Sequence, residues 1–253
     1  MPNLGIDIGA ANTKVAIMED GTILALASAV TGFDQEASAE AAIKSALEKA
    51  GIDRQSLKRI KTTGVGRKAV PNITTDEMNE IASAAKGAHF LFNSARTVID
   101  AGAEEARAMK LNDVGKVRDF AINEKCAAGA GSFTEAMAKA LEVSLDELTK
   151  ISLESDKKVP MNAQCVIFAE SEVVSLIHSG FSKPDISKAI HDAIADRISA
   201  VARRVGLEKD IVLIGGMAYN VGFIDSLKRS LNTDVLLPEN PDYVGAIGAA
   251  LPD

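Results

Sequence analysis

Residues 5–14 of this chain read Gly-Ile-Asp-Ile-Gly-Ala-Ala-Asn-Thr-Lys and contain the pattern that decides the fold. The pattern predicts one strand over 3–8 and a second strand over 13–19, joined by a turn over 9–12. The turn consists of small residues, which let a ligand approach the backbone closely. Successive backbone N–H groups in such a turn bind an anion. The segment therefore predicts a phosphate-binding hairpin.

The side chains of this hairpin have the chemistry that a nucleotide phosphate and its metal require. Asp7 stands just before the turn, where a carboxylate can hold Mg²⁺ through water. Thr13 offers a hydroxyl donor, and Lys14 offers a positive charge for the phosphates. The remaining candidate contacts are the turn residues themselves, Gly9, Ala10, Ala11 and Asn12.

The same pattern returns in the second half of the chain. An apolar strand predicted over 97–101 leads into a turn that begins with Asp100, and further strands are predicted over 107–111 and 117–122. Two such turns facing each other would clamp the phosphates and the metal from both sides. We assign Asp7, Asp100 and Glu104 as candidate catalytic residues. The candidate backbone contacts of the second turn are Gly102 and Ala103.

A third turn follows the buried strand predicted over 211–214. Gly215 and Gly216 allow the backbone to pack flat against an adenine or a ribose. Met217 and Asn220 complete this candidate nucleotide-binding segment. Each turn alone is an ordinary β-turn, but the three together, in this order around a repeated pattern, are a more specific signal.

The whole chain is predicted to be two α/β units related by internal duplication, with a nucleotide in the cleft between them. The first subdomain is expected to contain 1–93 and 240–253, and the second to contain 94–239 with both cysteines. Further strands are predicted over 22–30, 58–63 and 234–237. Helices are predicted over 36–50, 76–90, 131–142, 145–152, 167–179, 185–206, 222–230 and 243–251.

Composition excludes several classes of partner. The chain has 28 Lys and Arg against 35 Asp and Glu, a formal net charge of −7, whereas nucleic acids and anionic membranes favour a basic surface. No apolar run approaches the ~20 residues that span a bilayer, and no signal peptide is evident. We therefore expect a soluble, cytoplasmic protein with no nucleic-acid partner and no membrane partner.

The two cysteines permit several interpretations. Cys126 precedes the small-residue stretch 127–131, and Cys165 precedes a predicted helix. Two buried thiols acting as small hydrophobic residues are the simplest interpretation, and a disulfide is improbable in the cytosol. Two thiolates are also half of the ligand set of an iron–sulfur cube, or of a Cys₄ zinc site shared by two chains. Helix N-termini would stabilise either thiolate.

The chain resembles the actin-like ATPase superfamily, whose fold is a duplicated ribonuclease H-like α/β fold. Four segments resemble its phosphate-1, phosphate-2, adenosine and second connecting segments: residues 5–14, 97–105, 211–220 and 243–251. The cysteine segments 123–131 and 164–172, with Tyr243–Leu251, are similar to the BadF/BadG/BcrA/BcrD type. This family contains 2-hydroxyacyl-CoA dehydratase activators and ATPase subunits of benzoyl-CoA reductase. The resemblance covers essentially the whole chain.

The resemblance implies an ATP-dependent electron-transfer protein of anaerobic metabolism. Members of the family are dimeric ATPases that use ATP and Mg²⁺ and hold one [4Fe–4S] cluster at the subunit interface. Each chain gives two cysteine ligands, which correspond here to Cys126 and Cys165. The electron comes from reduced ferredoxin or flavodoxin and passes to an iron–sulfur dehydratase or reductase that acts on an acyl-CoA.

The second phosphate turn departs from the family pattern. Dehydratase activators read Asp-Ile-Gly-Gly-Gln-Asp, whereas residues 100–105 read Asp-Ala-Gly-Ala-Glu-Glu. Glu104 brings a negative charge near the γ-phosphate, which is expected to weaken nucleotide binding unless a metal or a proton offsets it. The turn is more similar to that of the smaller ring-reductase ATPase subunit. This leaves two partner chains open, a second copy of this chain or a related ATPase subunit.

The alternative function is a small-molecule kinase of the same fold, because a fold alone does not define a function. Asp100 would then be the catalytic carboxylate facing an acceptor pocket. Such a kinase would leave the two cysteine segments unexplained.

Overall fold

The structure is a computed structural model that describes residues 1–123, 129–161 and 165–252. The chain divides into two compact units. Unit 1 contains Met1–Val98, Met109–Asp119 and Pro238–Asp253, and unit 2 contains Ile99–Ala108 and Phe120–Leu237. Within the described ranges, no helix combines the length and the apolar character needed to cross a membrane.

The first sheet has four strands in the order β3-β2-β1-β4. Its strands are β1 (Asn3–Ile8), β2 (Asn12–Glu19), β3 (Thr22–Val30) and β4 (Arg59–Thr63). Strands β1, β2 and β3 form an antiparallel meander, whereas β4 runs parallel to β1. A sheet with this order places the end of β1 beside the end of β4, at the same edge as the turn over 9–12.

Helices cover both faces of the first sheet. Helix α1 (Gln35–Ala50) begins where the side chain of Asp34 accepts a hydrogen bond from the Ala37 N–H. Its alanines and one isoleucine pack at helical spacing against the apolar residues of β1 and β2. On the opposite face, helix α8 (Val244–Ala250) packs against Ala16 and Met18. Helix α2 (Glu80–Leu91) lies against α8.

The second sheet repeats this arrangement with the order β7-β6-β5-β8. Its strands are β5 (Thr97–Ala101), β6 (Ala106–Leu111), β7 (Val117–Ile122) and β8 (Ile211–Ile214). The helices of unit 2 are α3 (Ala130–Ala140), α4 (Leu145–Ile151), α5 (Val166–His178), α6 (Lys183–Arg204) and α7 (Val221–Leu231). Their apolar side chains and those of the sheet form one buried cluster.

The longest helix, α6, begins at a reciprocal cap. Ser182 accepts a hydrogen bond from the Asp185 N–H, and the Asp185 carboxylate accepts one from the Ser182 N–H. Lys157 also donates to Asp185, at 2.8 Å. These hydrogen bonds, of which the one from Lys157 has the largest effect, hold the pKa of the Asp185 carboxyl well below its usual range. The cap therefore defines where α6 starts.

Two predicted elements differ in the structure. The helix predicted from residue 76 begins at Glu80, because the preceding residues hydrogen-bond beside β4 instead. The Thr62 N–H donates to the Asp76 carbonyl at 2.9 Å, and the Met78 N–H donates to the Thr62 carbonyl at 2.8 Å. The strand predicted over 234–237 is reduced to a single bridge between Val212 and Leu236.

A buried histidine in α6 makes the stability of the fold depend on pH. His191 is fully buried, and its Nδ1 lies 2.8 Å from the Ser187 carbonyl oxygen. Burial lowers the pKa of His191 from its ordinary value of 6.5, because it penalises the charged imidazolium. The unfolded chain therefore binds more protons than the folded chain below about pH 6.5. We expect the free energy of unfolding to fall as the pH is lowered from there, by up to ~1.4 kcal/mol per pH unit.

Urea unfolding between about pH 7.5 and pH 5.5 measures this slope. Replacing the buried imidazole in His191→Gln should flatten it. The matched control is His178→Gln, at an exposed histidine in α5, which should keep the wild-type slope. Equal slopes in the wild type and in His191→Gln would contradict the assignment.

Candidate nucleotide-binding hairpins

The first hairpin brings Asp7 and Lys14 to the same face of the sheet. In the β1–β2 register, Asp7 lies directly opposite Lys14, and residues opposite each other share a face. The Gly9 N–H closes the turn by donating to the Asn12 carbonyl at 3.2 Å. The Lys14 Nζ lies 3.5 Å from the point where a Cβ on Gly9 would be. The carboxylate, the ammonium and the turn backbone are therefore grouped at one end of the hairpin.

Thr13 is the member of this predicted set that the structure directs elsewhere. It pairs with Ile8 on the opposite face, is fully buried, and its Oγ1 lies 2.9 Å from Thr31 Oγ1. Its hydroxyl therefore helps to anchor the loop after β3 beside the turn. Ala10, Ala11 and Asn12 are exposed at the tip of the hairpin, where their backbone groups can meet a ligand.

Two glycines lie directly against the Asp7 carboxylate. A Cβ on Gly64, which follows β4, would lie 2.5 Å from Asp7 Oδ1. A Cβ on Gly245, in α8, would lie 2.7 Å from Asp7 Oδ2. Any larger residue at either position would displace the carboxylate. Neither glycine is among the predicted site residues, although Gly64 stands immediately after a predicted strand and Gly245 lies in the segment 243–251 that resembles the second connecting segment.

The second hairpin repeats this geometry within unit 2. The Gly102 N–H donates to the Glu105 carbonyl at 2.9 Å, as Gly9 does to Asn12. In an antiparallel hairpin this closure sets Asp100 opposite Arg107. Gly215 follows β8 with φ of +88°, and Gly64 follows β4 with φ of +90°. A Cβ on Gly215 would lie 2.7 Å from Asp100 Oδ1. The duplication therefore includes the glycine that supports each aspartate.

Arg107 is a site residue that sequence reasoning missed. It stands seven residues after Asp100, as Lys14 stands seven residues after Asp7, and this spacing was the signal that could have found it. Its side chain is only 10% exposed, and its Nη1 lies 3.7 Å from Asp100 Oδ2. Its Nε donates to Glu105 at 2.9 Å. The second hairpin therefore has a cation at the position of Lys14, already paired with two carboxylates.

In the third predicted segment, residues 215–220, the backbone at the two glycines is accessible, whereas the side chains of Met217 and Asn220 have structural roles. Gly216 is exposed, whereas Met217 is buried in the core of unit 2. Asn220 caps α7, because its Oδ1 accepts a hydrogen bond from the Phe223 N–H at 2.9 Å. The backbone of Gly215 and Gly216 is thus the part of this segment that remains available to a nucleoside.

The two predicted cluster ligands differ in what the structure describes of them. Cys165 is half-buried and occupies the N-cap position of α5, where the helix dipole stabilises a thiolate. Cys126 lies outside the described residues. Among the residues that the structure describes, no three His, Cys, Asp or Glu side chains are grouped to hold a metal ion.

Two sheets with the same strand order, each with an Asp-containing hairpin supported by a glycine, form the actin-like fold, as predicted. Solved kinases share this fold. A ROK family glucokinase from Streptomyces griseus matches with a TM-score of 0.63 at 15% identity, covering 99% of this chain and 98% of the kinase. A likeness at that identity shows the fold alone.

More similar proteins define the family. The BadF/BadG/BcrA/BcrD ATPase family matches residues 4–252. An activator of lactoyl-CoA dehydratase from Anaerotignum propionicum is 39% identical over 99% of this chain and 96% of that protein. The chain belongs to the BadF/BadG/BcrA/BcrD ATPase family, as the sequence motifs predicted.

Two solved structures of relatives have nearly the same fold as this chain. Component A of the Acidaminococcus fermentans (R)-2-hydroxyglutaryl-CoA dehydratase has a TM-score of 0.93 and 34% identity, over 99% of this chain and 96% of that one. The activator of the 2-hydroxyisocaproyl-CoA dehydratase from Clostridium difficile, with bound ADPNP, has a TM-score of 0.91 and 33% identity. The match covers 99% of this chain and 93% of that one. Because the family is one of ATPases, ATP is the nucleotide expected for this chain.

The position of Lys14 beside the turn generates a direct prediction. We expect Lys14→Ala to weaken ATP binding about 10- to 100-fold, because a hydrogen bond to a charged group contributes ~1.5–3 kcal/mol. Isothermal titration calorimetry with a non-hydrolysable ATP analogue and Mg²⁺ measures the affinity. The matched control is Lys44→Ala, which removes an exposed lysine of α1 in the same unit. Unchanged affinity in Lys14→Ala would contradict the assignment.

Proposed function

We propose that this chain is an ATP-dependent electron-transfer activator. ATP hydrolysis drives a low-potential electron from a [4Fe–4S] cluster to a partner iron–sulfur enzyme that acts on an acyl-CoA. Family membership supports the ATPase part. The two relatives named as activators of acyl-CoA dehydratases support this choice of partner, a dehydratase or a related reductase. Reduced ferredoxin or flavodoxin is the proposed electron donor.

The geometry of each hairpin, taken by itself, supports the proposed nucleotide contacts. In unit 1, the backbone of the turn over 9–12 and the Lys14 ammonium bind phosphate oxygens. The turn over 102–105 in unit 2 offers backbone N–H groups of the same kind. Asp7 in unit 1 and Asp100 in unit 2 would each offer Mg²⁺ the carboxylate oxygens that this ion prefers as ligands. The glycines against each carboxylate place no side chain on its oxygens. Mg²⁺ supplies charge neutralisation during phosphoryl transfer.

One observation carries the electron-transfer part of the proposal. Helices α3 and α5, which follow the two cysteine segments in sequence, pack against each other in the core of unit 2. Phe133 and Met137 of α3 belong to the same buried cluster as Ala169 and Val173 of α5. Cys165 stands at the start of one helix, and Cys126 precedes the start of the other by four residues. Thiolates are the ligands that an iron–sulfur cluster takes, and helix N-termini stabilise its negative charge.

The outward face of α5 supports a dimer that shares the cluster. Ile167 and Phe168, two and three residues after Cys165, are 70% and 71% exposed. Val174 and Ile177 are further exposed apolar residues along the helix. Large exposed apolar surfaces mark sites of association. Two cysteines from each of two chains complete the four thiolates of a [4Fe–4S] cluster. We therefore propose that α5 contacts a second chain, either another copy or a related ATPase subunit.

Iron and sulfide analysis tests the cluster. Anaerobically purified wild-type protein, supplied with iron and sulfide, should contain roughly four iron and four acid-labile sulfide per two chains. Cys126→Ser and Cys165→Ser should each lose most of both, because each removes two of the four ligands from a dimer. ATP binding measured by calorimetry should persist in both variants and shows that they are folded.

Different results separate the alternatives. Zinc without acid-labile sulfide would replace the electron-transfer proposal with a shared Cys₄ zinc site. If the protein contains no metal, binds ATP normally and phosphorylates a small molecule, the result would favour the kinase as its function. A cluster that forms only after a related ATPase subunit is added would assign the second chain as non-identical.

The interface proposal has its own test. Phe168→Ser should shift the protein from dimer to monomer in anaerobic sedimentation velocity and should lower its cluster content, because it places a hydroxyl in an apolar contact. Phe33→Ser, at a fully exposed phenylalanine of unit 1, is the matched control and should remain dimeric. A dimer that is equally stable in both variants would contradict the assignment of α5 to the interface.

A further inference from the structure

The second hairpin carries more negative charge than its counterpart in unit 1. Glu104 and Glu105 stand where the first hairpin has Ala11 and Asn12. Together with Asp100, they place three carboxylates in a turn of six residues. A turn that receives the phosphates of ATP must offset these charges, because like charges at short distance repel each other.

Arg107 offsets two of the three carboxylates. Its Nε donates to Glu105 Oε2 at 2.9 Å, and its Nη1 lies 3.7 Å from Asp100 Oδ2. This side chain is largely buried, and therefore its pairing is only weakly screened by water. Glu104, which is exposed at the tip of the hairpin, is the third carboxylate.

Glu104 is held by the first turn of α3. The hydroxyl of Ser132, the third residue of this helix, donates to Glu104 Oε1 at 2.5 Å. The N-cap residue of α3, Gly129, makes no side-chain cap. The partial positive charge of the helix N-terminus therefore favours a carboxylate supplied from outside the helix. Glu104 is in this way directed to the start of α3.

The backbone fixes this contact on both sides. The Gly131 N–H donates to the Gly102 carbonyl at 3.1 Å, and the Ser132 N–H donates to the Ala103 carbonyl at 3.1 Å. A Cβ on Gly129 would overlap the Ala103 carbonyl oxygen. The hairpin tip and the helix start are thus too closely packed for Ser132 and Glu104 to lie far apart. The hydrogen bond follows from the fold of unit 2.

We propose that Ser132 is a specificity-determining positioning residue, which holds the Glu104 carboxylate at the start of α3 and away from the terminal phosphate of a bound nucleoside triphosphate. The proposal deepens the proposed function and rests on it. A diphosphate lacks the terminal phosphate and is insensitive to where the carboxylate lies. Ser132 therefore sets the preference for ATP over ADP.

A double-mutant cycle on the full chain tests the proposal, with calorimetric Kd values for a non-hydrolysable ATP analogue and for ADP, both with Mg²⁺. Ser132→Ala should weaken binding of the ATP analogue about tenfold and change ADP binding less than about twofold. Glu104→Gln should restore binding of the analogue in the Ser132→Ala background, since the amide has no charge. Ser132→Thr keeps the hydroxyl and should bind like the wild type.

The matched control removes a similar hydrogen bond elsewhere in unit 2. The Ser230 hydroxyl donates to Asp196 at 2.7 Å, and Ser230→Ala should leave both affinities unchanged. The proposal would be overturned if Ser132→Ala weakened binding of the ATP analogue and of ADP equally. It would also be overturned if Ser132→Ala weakened binding of the analogue to the same extent in the Glu104→Gln background. Unchanged binding of the ATP analogue in Ser132→Ala would overturn it as well. Wild-type protein that binds no nucleotide would overturn the proposed function itself, and this inference with it.

Discussion

The structure depends on a close contact between a carboxylate and a glycine backbone, which is made once in each sheet. Gly64 lies against Asp7, and Gly215 lies against Asp100, both with φ near +90°. A Cβ at either position would collide with the carboxylate and with a backbone carbonyl of the neighbouring strand. A left-handed conformation costs an L-residue a further ~1–2 kcal/mol. The position of each aspartate is therefore set by backbone packing.

Local signals predicted most of the fold, and long-range pairing explains what they missed. The hairpin over 3–19, the strand before Gly215 and the family motifs are all encoded by residues adjacent in sequence. The start of α2 is not, because Asp76 and Met78 hydrogen-bond to Thr62 rather than to the next helical turn. The face occupied by Thr13 follows from its pairing with Ile8, which depends on register. Arg107 was missed because its role becomes clear only when the two hairpins are compared.

The two hairpins share a fold and differ in electrostatics. In unit 1 the tip is uncharged, and Lys14 lies beside Gly9. In unit 2 the equivalent cation, Arg107, is paired with Asp100 and Glu105. A free ammonium favours an incoming phosphate directly, whereas a paired guanidinium mainly holds carboxylates in place. The first hairpin therefore keeps a cation beside its turn, whereas the second uses its cation to position two of its own carboxylates.

Helices α3 and α5, which follow the two cysteine segments, are where the proposed second chain would complete the cluster site. A cluster with two thiolates from each chain requires an interface, and an interface requires apolar surface that is costly to leave in water, at ~25 cal/mol per Å². Only Ala169 and Val173 of α5 are buried within this chain, although most of its residues are apolar. The exposed side chains at 167 and 168 stand two and three residues after Cys165. The same turn of helix would therefore supply both a ligand and the surface that keeps the partner chain beside it.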